Sequence, residues 1–369
     1  MIKFFDLKKV NQRYEKAFHE KMEAFLQRGW YILGDEVTIF EDNFAKFCQA
    51  KHCIGVGNGL DAMVLIFKAY IELGKLRKGD EVIVQANTYI ASILAILQAD
   101  LVPVLVEPDA KTYNLNPDLI TEKITSKTKA ILVVHLYGQL ADMEKINAVA
   151  TQHNLLIVED AAQAHGAKRT SPIIQHPSPN TQHPASFSFY PSKNLGCLGD
   201  GGAVVTNDDE LNRIIRAMRN YGSEKKYVND FVGINSRLDE LQAAFLNVKL
   251  PDLDEDNQKR RQIAQRYVSE IKNNKISLPF WDGTANHVFH LFVVQTANRE
   301  ELQTYLKTNG IETMIHYPIP PHQQKAFKQF NSYSFPITEK IHREIVSLPM
   351  SPVLTEEEVS LIIQVVNQY

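Results

Sequence analysis

The chain has 369 residues, 44% of them hydrophobic, enough to bury a large core in two domains or in one large domain with an appendage. Forty basic against forty-three acidic side chains leave a net charge of −3, so no global field draws it to nucleic acid or to an anionic membrane, and an anionic ligand needs a local site. The three cysteines, Cys48, Cys53 and Cys197, are odd in number and lack Cys-x-x-Cys spacing, which argues against a disulfide framework or a zinc site and fits a reducing cytoplasm.

MIKFFDLKKVNQRYEKAF turns charged within a few residues, unlike a signal peptide or a spanning segment, and predicts a soluble, intracellular protein. CIGVGNGLDAM then runs from a short strand through Gly57-Asn58-Gly59 into a helix beginning near Leu60. Next come DEVIVQA, the helical YIASILAILQA, LVPVLVEP, NPDLITEKI, KAILVVHLYG, the helical MEKINAVATQHN and LLIVEDAA. Unalternated apolar strands separated by crossover helices predict an α/β core with a mostly parallel sheet covered on both faces. Residues 168–185, KRTSPIIQHPSPNTQHPA, carry four prolines and no apolar period, which predicts an exposed loop; His176 and His183 within it have no carboxylate or cysteine beside them to complete a metal site. After the alternating SFSFYPSK, the pattern changes near Ser236 to long amphipathic helices, RLDELQAAFLNVKL and DNQKRRQIAQRYVSEIKNN. HVFHLFVVQT, the helical NREELQTYLKTNG and a last helix opened by a Thr355-x-x-Glu358 capping box follow. We expect a large domain over 1–250 and a smaller C-terminal α+β domain over 251–369.

Three short stretches carry chemistry. Unpaired amides and the positive end of a helix dipole make the Gly57–Gly59 junction an anion site, although a Gly-Asn-Gly turn alone specifies only a chain reversal. Glu159 and Asp160 end an apolar strand, where open parallel sheets bind ligands. A carboxylate buried there needs a metal, a protein base or a protonated heterocyclic nitrogen, unless it merely caps the next turn. Lys193 lies in a glycine-flanked turn, where partial desolvation would lower its pKa and make its amine a nucleophile able to form a Schiff base; Ser188, five residues earlier, could reach a phosphate. In this order on a parallel sheet, a phosphate cradle, a strand-end acid and a Ser-x4-Lys turn are what pyridoxal 5'-phosphate requires.

The blocks GNGLDAM, ANTYIAS, VEDAAQAHG, SFSFYPSKNLGCLGDGGAVVT, MRNYGSEKKY, GINSRLDELQAA and IHYPIPPHQQ span nearly the whole chain. With them it resembles the DegT/DnrJ/EryC1/StrS sugar-nucleotide aminotransferases, which share the aspartate aminotransferase-like fold (pyridoxal phosphate fold type I). The resemblance implies that Gly59 and Leu60 hold the cofactor phosphate with their amides and that Ser188 touches it. Tyr89 stacks on the ring, Asp160 pairs with the ring nitrogen, Gln163 lies near the ring hydroxyl, and Lys193 is the Schiff-base lysine. Asn235 would come from the neighbouring subunit of a homodimer with shared sites. Tyr190, Tyr221, Lys225, Lys226, Arg237, His316 and Tyr317 are the expected substrate contacts. Arg216 and Arg219 either join them or offset a helix dipole. The implied reaction passes the amino group of glutamate, through the pyridoxamine form, to C3 of a dTDP-3-keto-6-deoxyhexose. NLGCLGDGG, RNYGSEKKY and NSRLDELQAA resemble the branch that aminates C3 rather than C4. Amination at C4, a UDP-linked sugar, a sugar dehydratase and a non-catalytic regulator are the alternatives, and galacto versus gluco configuration rests on a few pocket contacts that no motif specifies. The proline-rich 168–185 stretch departs from the family's usual glycine- and lysine-containing hairpin.

Overall fold

A computed structural model describes residues 1–169 and 183–369. Its main sheet contains β1 (His52–Val56), β2 (Glu81–Gln85), β3 (Val102–Val106), β4 (Thr128–Val134), β5 (Leu156–Asp160), β6 (Ala185–Ser188) and β7 (Gly202–Thr206), in the order β1-β7-β6-β5-β4-β2-β3. β7 pairs antiparallel with both neighbours and every other pairing is parallel. Six strands therefore run in one direction, and their carboxyl ends share one edge.

Side chains alternate across a strand, so a sheet covered on both faces needs apolar residues at odd and even positions alike. Val82, Val84, Leu132 and Val158 pack on one face with the helices Gly59–Glu72 and Ile90–Gln98. Ile83, Ile131, Val133 and Ile157 pack on the other with Met143 and Ile146 of the helix Met143–His153. Toward β7 that second face is closed by Phe40 and Phe44 of the helix Asp35–Phe47 against Phe187 and Phe189. The N-cap of this helix, Gly34, has no side chain to accept its first amides. Glu240, at the start of the helix Glu240–Lys249, accepts instead from the amides of Gly34 (2.7 Å), Glu36 (3.1 Å) and Val37 (2.9 Å), a cap supplied from 203 to 206 residues away in the chain.

One expected crossover helix is absent. NPDLITEKI forms two short 3-10 turns, Pro117–Leu119 and Thr121–Lys123. Asn116 caps Asp118 directly and three of the nine residues are β-branched, both of which work against a continuous helix.

Beyond residue 250 a separate apolar cluster gathers Tyr267 of the helix Leu253–Glu270, Phe292, Val294, Val346 and Ile362 around a two-stranded sheet, Phe292–Gln295 with Ile345–Leu348. Ile2 joins it from the other end of the chain. The last helix, Glu356–Gln368, opens with the expected capping box. No helix among the described residues is long and apolar enough to cross a membrane. His176 lies outside the described residues, as does most of the 168–185 stretch.

Candidate active site

Because six strands point the same way, the turns after β1, β2, β5 and β6 converge on one edge of the sheet. After β1, the Asn58 side chain accepts from the Asp61 amide (2.8 Å) and the first helical bond runs from Ala62 N to Asn58 O (3.1 Å). The amides of Gly59 and Leu60 thus precede the helical ladder and are open to an anion. Glycine is needed here for closeness: a Cβ on Gly59 would lie 2.8 Å from the Cβ of Ser188, and one on Gly202 2.3 Å from the carbonyl carbon of Asn58. Ser188, at the end of β6, is thereby pressed against the same turn, as the expected phosphate contact requires.

The neighbouring carboxylates at the end of β5 part ways by strand parity. Glu159 shares the face of Ile157 and meets the buried His135 (Nε2 to Oε2, 2.8 Å). Burial would raise its carboxyl, but the His135 hydrogen bond holds it below the ordinary carboxylate value. Asp160 shares the opposite face with Val158; it accepts from Ser92 Oγ (2.7 Å) and the Ala162 amide (3.2 Å). Burial pushes its pKa up, and those two bonds and the nearby Lys193 amine offset this only in part. Lys193 sits in the turn after β6, its amide bonded to Tyr190 O (2.8 Å). Burial lowers its pKa to about 8, against the opposing pull of Asp160. An acid driven up and an amine driven down, within electrostatic reach of one another, mark a site prepared for proton traffic.

Tyr89, after β2, is 49% exposed, and its ring centroid lies 4.9 Å from that of Tyr317. Gln163 is held at both ends, with a second N–H left over: its Oε1 accepts from Tyr137 N (2.6 Å) and its Nε2 donates to Tyr317 Oη (3.1 Å). Tyr137 Oη donates to His316 O, and the His316 ring hydrogen-bonds Ser347 Oγ at 2.9 Å. Burial and the Lys193 amine push His316 down to about 4, so it faces the site as a neutral imidazole. These bonds tie the 316–317 segment to the loops after β4 and β5.

The remaining expected contacts form a second, more open group. Tyr190 and Tyr221 are exposed, Lys225 and Lys226 lie on the exposed ribbon Ser223–Lys225/Val228–Asn229, and Asn235 is exposed. Arg237 stacks over the Tyr221 ring (5.6 Å) and donates to Asn220 Oδ1 (2.9 Å). Arg216 and Arg219 are placed otherwise than either expectation: both turn inward onto Glu41, and each also donates to a β1 carbonyl, Cys53 O (2.8 Å) and Gly55 O (2.6 Å) respectively. His183 bonds Asn147 Oδ1 (2.7 Å). Among the described residues no group of three or more His, Cys, Asp and Glu side chains could hold a metal ion.

Sequence reasoning missed Ser92, which orients Asp160, and His165, fully buried beside Lys193 with its ring against Phe187 (5.3 Å). Burial and the Lys193 amine push His165 down to about 3. Ser92 had a signal, as the one hydroxyl within the otherwise apolar IASILAIL. The donor set fits pyridoxal 5'-phosphate: open helix-start amides packed on Ser188 for an anion, a buried carboxylate whose pKa rises for want of a full counter-cation, and a desolvated amine beside it.

Residues 12–367 match the DegT/DnrJ/EryC1/StrS aminotransferase family. The chain is 56% identical, over all of its length and 99% of the relative's, to the dTDP-3-amino-3,6-dideoxy-alpha-D-galactopyranose transaminase of Aneurinibacillus thermoaerophilus. Among solved structures it resembles S. venezuelae DesV in complex with a ketimine intermediate (TM-score 0.93, 42% identity, covering 99% of this chain and 97% of that one). It also resembles NtdA from Bacillus subtilis with bound cofactor PMP (TM-score 0.88, 29% identity, 99% and 84% covered).

Proposed function

The chain belongs to the DegT/DnrJ/EryC1/StrS aminotransferase family, whose members depend on pyridoxal 5'-phosphate, and from that premise we propose that it moves the amino group of glutamate onto C3 of a dTDP-3-keto-6-deoxyhexose. The product is then a dTDP-3-amino-3,6-dideoxyhexose. The observation that carries the substrate assignment is the 56% identity over the full chain to a dTDP-3-amino-3,6-dideoxygalactose transaminase. For the chemistry it is the half-buried Lys193 amine within electrostatic reach of the buried Asp160 carboxylate.

Pyridoxal 5'-phosphate, when bound, supplies a carbonyl for the migrating nitrogen and a ring that accepts electron density from the adjoining carbon. Lys193 Nζ would supply the amine that condenses with this group and the base that moves a proton beside it. Its lowered pKa keeps a useful neutral fraction near pH 7 to 8. The Asp160 carboxylate, oriented by Ser92 and the Ala162 amide, would hold the proton of the ring nitrogen. Gly59, Leu60 and Ser188 receive the phosphate, Tyr89 covers the ring, and Gln163, held by Tyr137 and Tyr317, sets the position of the ring hydroxyl. Tyr190, Tyr221, Lys225, Lys226, Arg237, His316 and Tyr317 are assigned to the sugar nucleotide and to glutamate, the cations being suited to a diphosphate.

The exposed Asn235 supports a homodimer in which it reaches the neighbouring subunit's cofactor. The three buried, free cysteines support a cytoplasmic location. The separate cluster around Tyr267 and Phe292 supports the division into domains at 1–250 and 251–369, with Ile2 and Phe4 crossing back to pack beyond the boundary. Incubation with glutamate and the dTDP-3-ketosugar, followed by mass spectrometry and NMR of the product, tests the reaction. Nitrogen at C3 is the expected result; an amine at C4, or a deoxygenated sugar without nitrogen, overturns the assignment.

A further inference from the structure

Arg219 and Glu41 occupy a place that the reaction as described does not use. Both are buried charges, 6% exposed each, paired behind β1. A charge pair withdrawn from water is retained where its geometry is needed, since apolar substitutes are often as stable. Here the pair grips one residue from both sides. Glu41 Oε1 accepts from Gly55 N (2.8 Å), and Arg219 Nη1 donates to Gly55 O (2.6 Å). Gly55 has no room for a side chain, because a Cβ there would lie 2.9 Å from Leu238 Cβ.

The same arginine reaches the next step of the turn through its backbone. Arg219 O accepts from Ser236 N (2.9 Å), and Ser236 Oγ accepts from Gly57 N (3.0 Å). Ser236 is 2% exposed. Two residues on, Gly59 is packed against Ser188. Residues 55, 57 and 59 are therefore held in succession by Glu41 with Arg219, by Ser236, and by contact with β6. Beyond the last of them lie the open amides assigned to the phosphate.

Resting on the functional reading above, we infer that Ser236, with Arg219 and Glu41 behind it, is a positioning residue for the phosphate end of the cofactor. It acts through Gly57 by saturating that amide and keeping the turn from rotating away from Ser188. Preorganised donors lose less on binding than donors that must first be ordered. The part of the ligand that gains is the phosphate, because the ring and carbonyl ends are held by other loops.

The test titrates the full chain, freed of cofactor, with pyridoxal 5'-phosphate and separately with pyridoxal. Ser236→Ala is expected to weaken pyridoxal 5'-phosphate roughly three- to tenfold, the weight of one neutral hydrogen bond, and to leave pyridoxal unchanged. Ser236→Thr, which keeps the hydroxyl, restores the wild-type ratio. Arg219→Lys, a point charge that cannot serve Glu41 and Gly55 O together, narrows the ratio in the same direction. Equal weakening of both ligands, or an unchanged ratio in Ser236→Ala while the wild type binds normally, overturns the inference alone. Failure of the wild type to bind either ligand removes the functional reading, and this inference with it.

Discussion

The lysine-bearing edge of the sheet and the 221–232 segment both carry residues assigned to the site, but they are built in opposite ways. Around Lys193, the Asp160 and Gln163 side chains are buried and have named partners within the chain, and Lys193 itself is half-buried. Around Tyr221, Lys225, Lys226 and Tyr227 the side chains face outward, with Tyr227 88% exposed. The first arrangement shifts pKa values and holds geometry before any ligand arrives; the second supplies charge and aromatic surface with little preorganisation. On the function proposed above, the chemistry common to aminotransferase turnovers falls to the first region and recognition of the sugar nucleotide to the second.

This contrast breaks most sharply at Lys193. Lys193→Ala should cost at least about a thousandfold in the conversion of glutamate to 2-oxoglutarate, the weight of a lost nucleophile and proton carrier. Borohydride should then no longer fix cofactor to the chain. Asp160→Asn comes next: the half-reaction should slow by about 10²- to 10³-fold while cofactor remains bound. An unaltered single-turnover rate would remove Asp160 from its role.

A third test turns on pH. Lys193 titrates near 8 in the folded chain against 10.5 ordinarily, so its reactive neutral form grows as pH rises through 8. The rate at which cofactor-free protein takes up pyridoxal 5'-phosphate should rise with a midpoint about 8 in stopped-flow absorbance; a midpoint near 10.5 would mean the amine is solvated. The linkage has a definite sign. Between about 8 and 10.5 the unfolded chain holds this proton and the folded chain does not, so the cost of burying Lys193 is greatest below about 8 and is relieved as pH rises across that window. Lys193→Met should accordingly raise the melting temperature of the cofactor-free protein by about 1–3 °C at pH 7. Smallest of all, Lys225→Ala or Lys226→Ala should raise KM for the sugar nucleotide by no more than about fivefold, less at high salt, and leave the glutamate half-reaction untouched. A large effect on that half-reaction would erase the distinction between the two regions.

Part of the candidate site was legible from residue order alone. Asp160 and Ser188 end strands, Gly59 and Lys193 stand in the turns that follow β1 and β6, and parallel strands bring such ends together. Strand parity even separates Asp160 from Glu159, once the direction of β5 is known. The layer behind the site was not legible. Arg216 and Arg219 read as helix-end cations, yet they bind a carboxylate 175 and 178 residues earlier in the chain. Glu240 reads as one more helix-surface acid and is the cap of another helix.

Local pattern therefore determined which elements form and which chemical groups stand at their ends, because periodicity and turn preference act over a few residues. Tertiary structure decided which carboxylate is driven up, which amine down, and which charges are spent on holding a turn in place. Desolvation and long-range hydrogen bonds depend on what is packed around a group, and that company is assembled from distant parts of the chain.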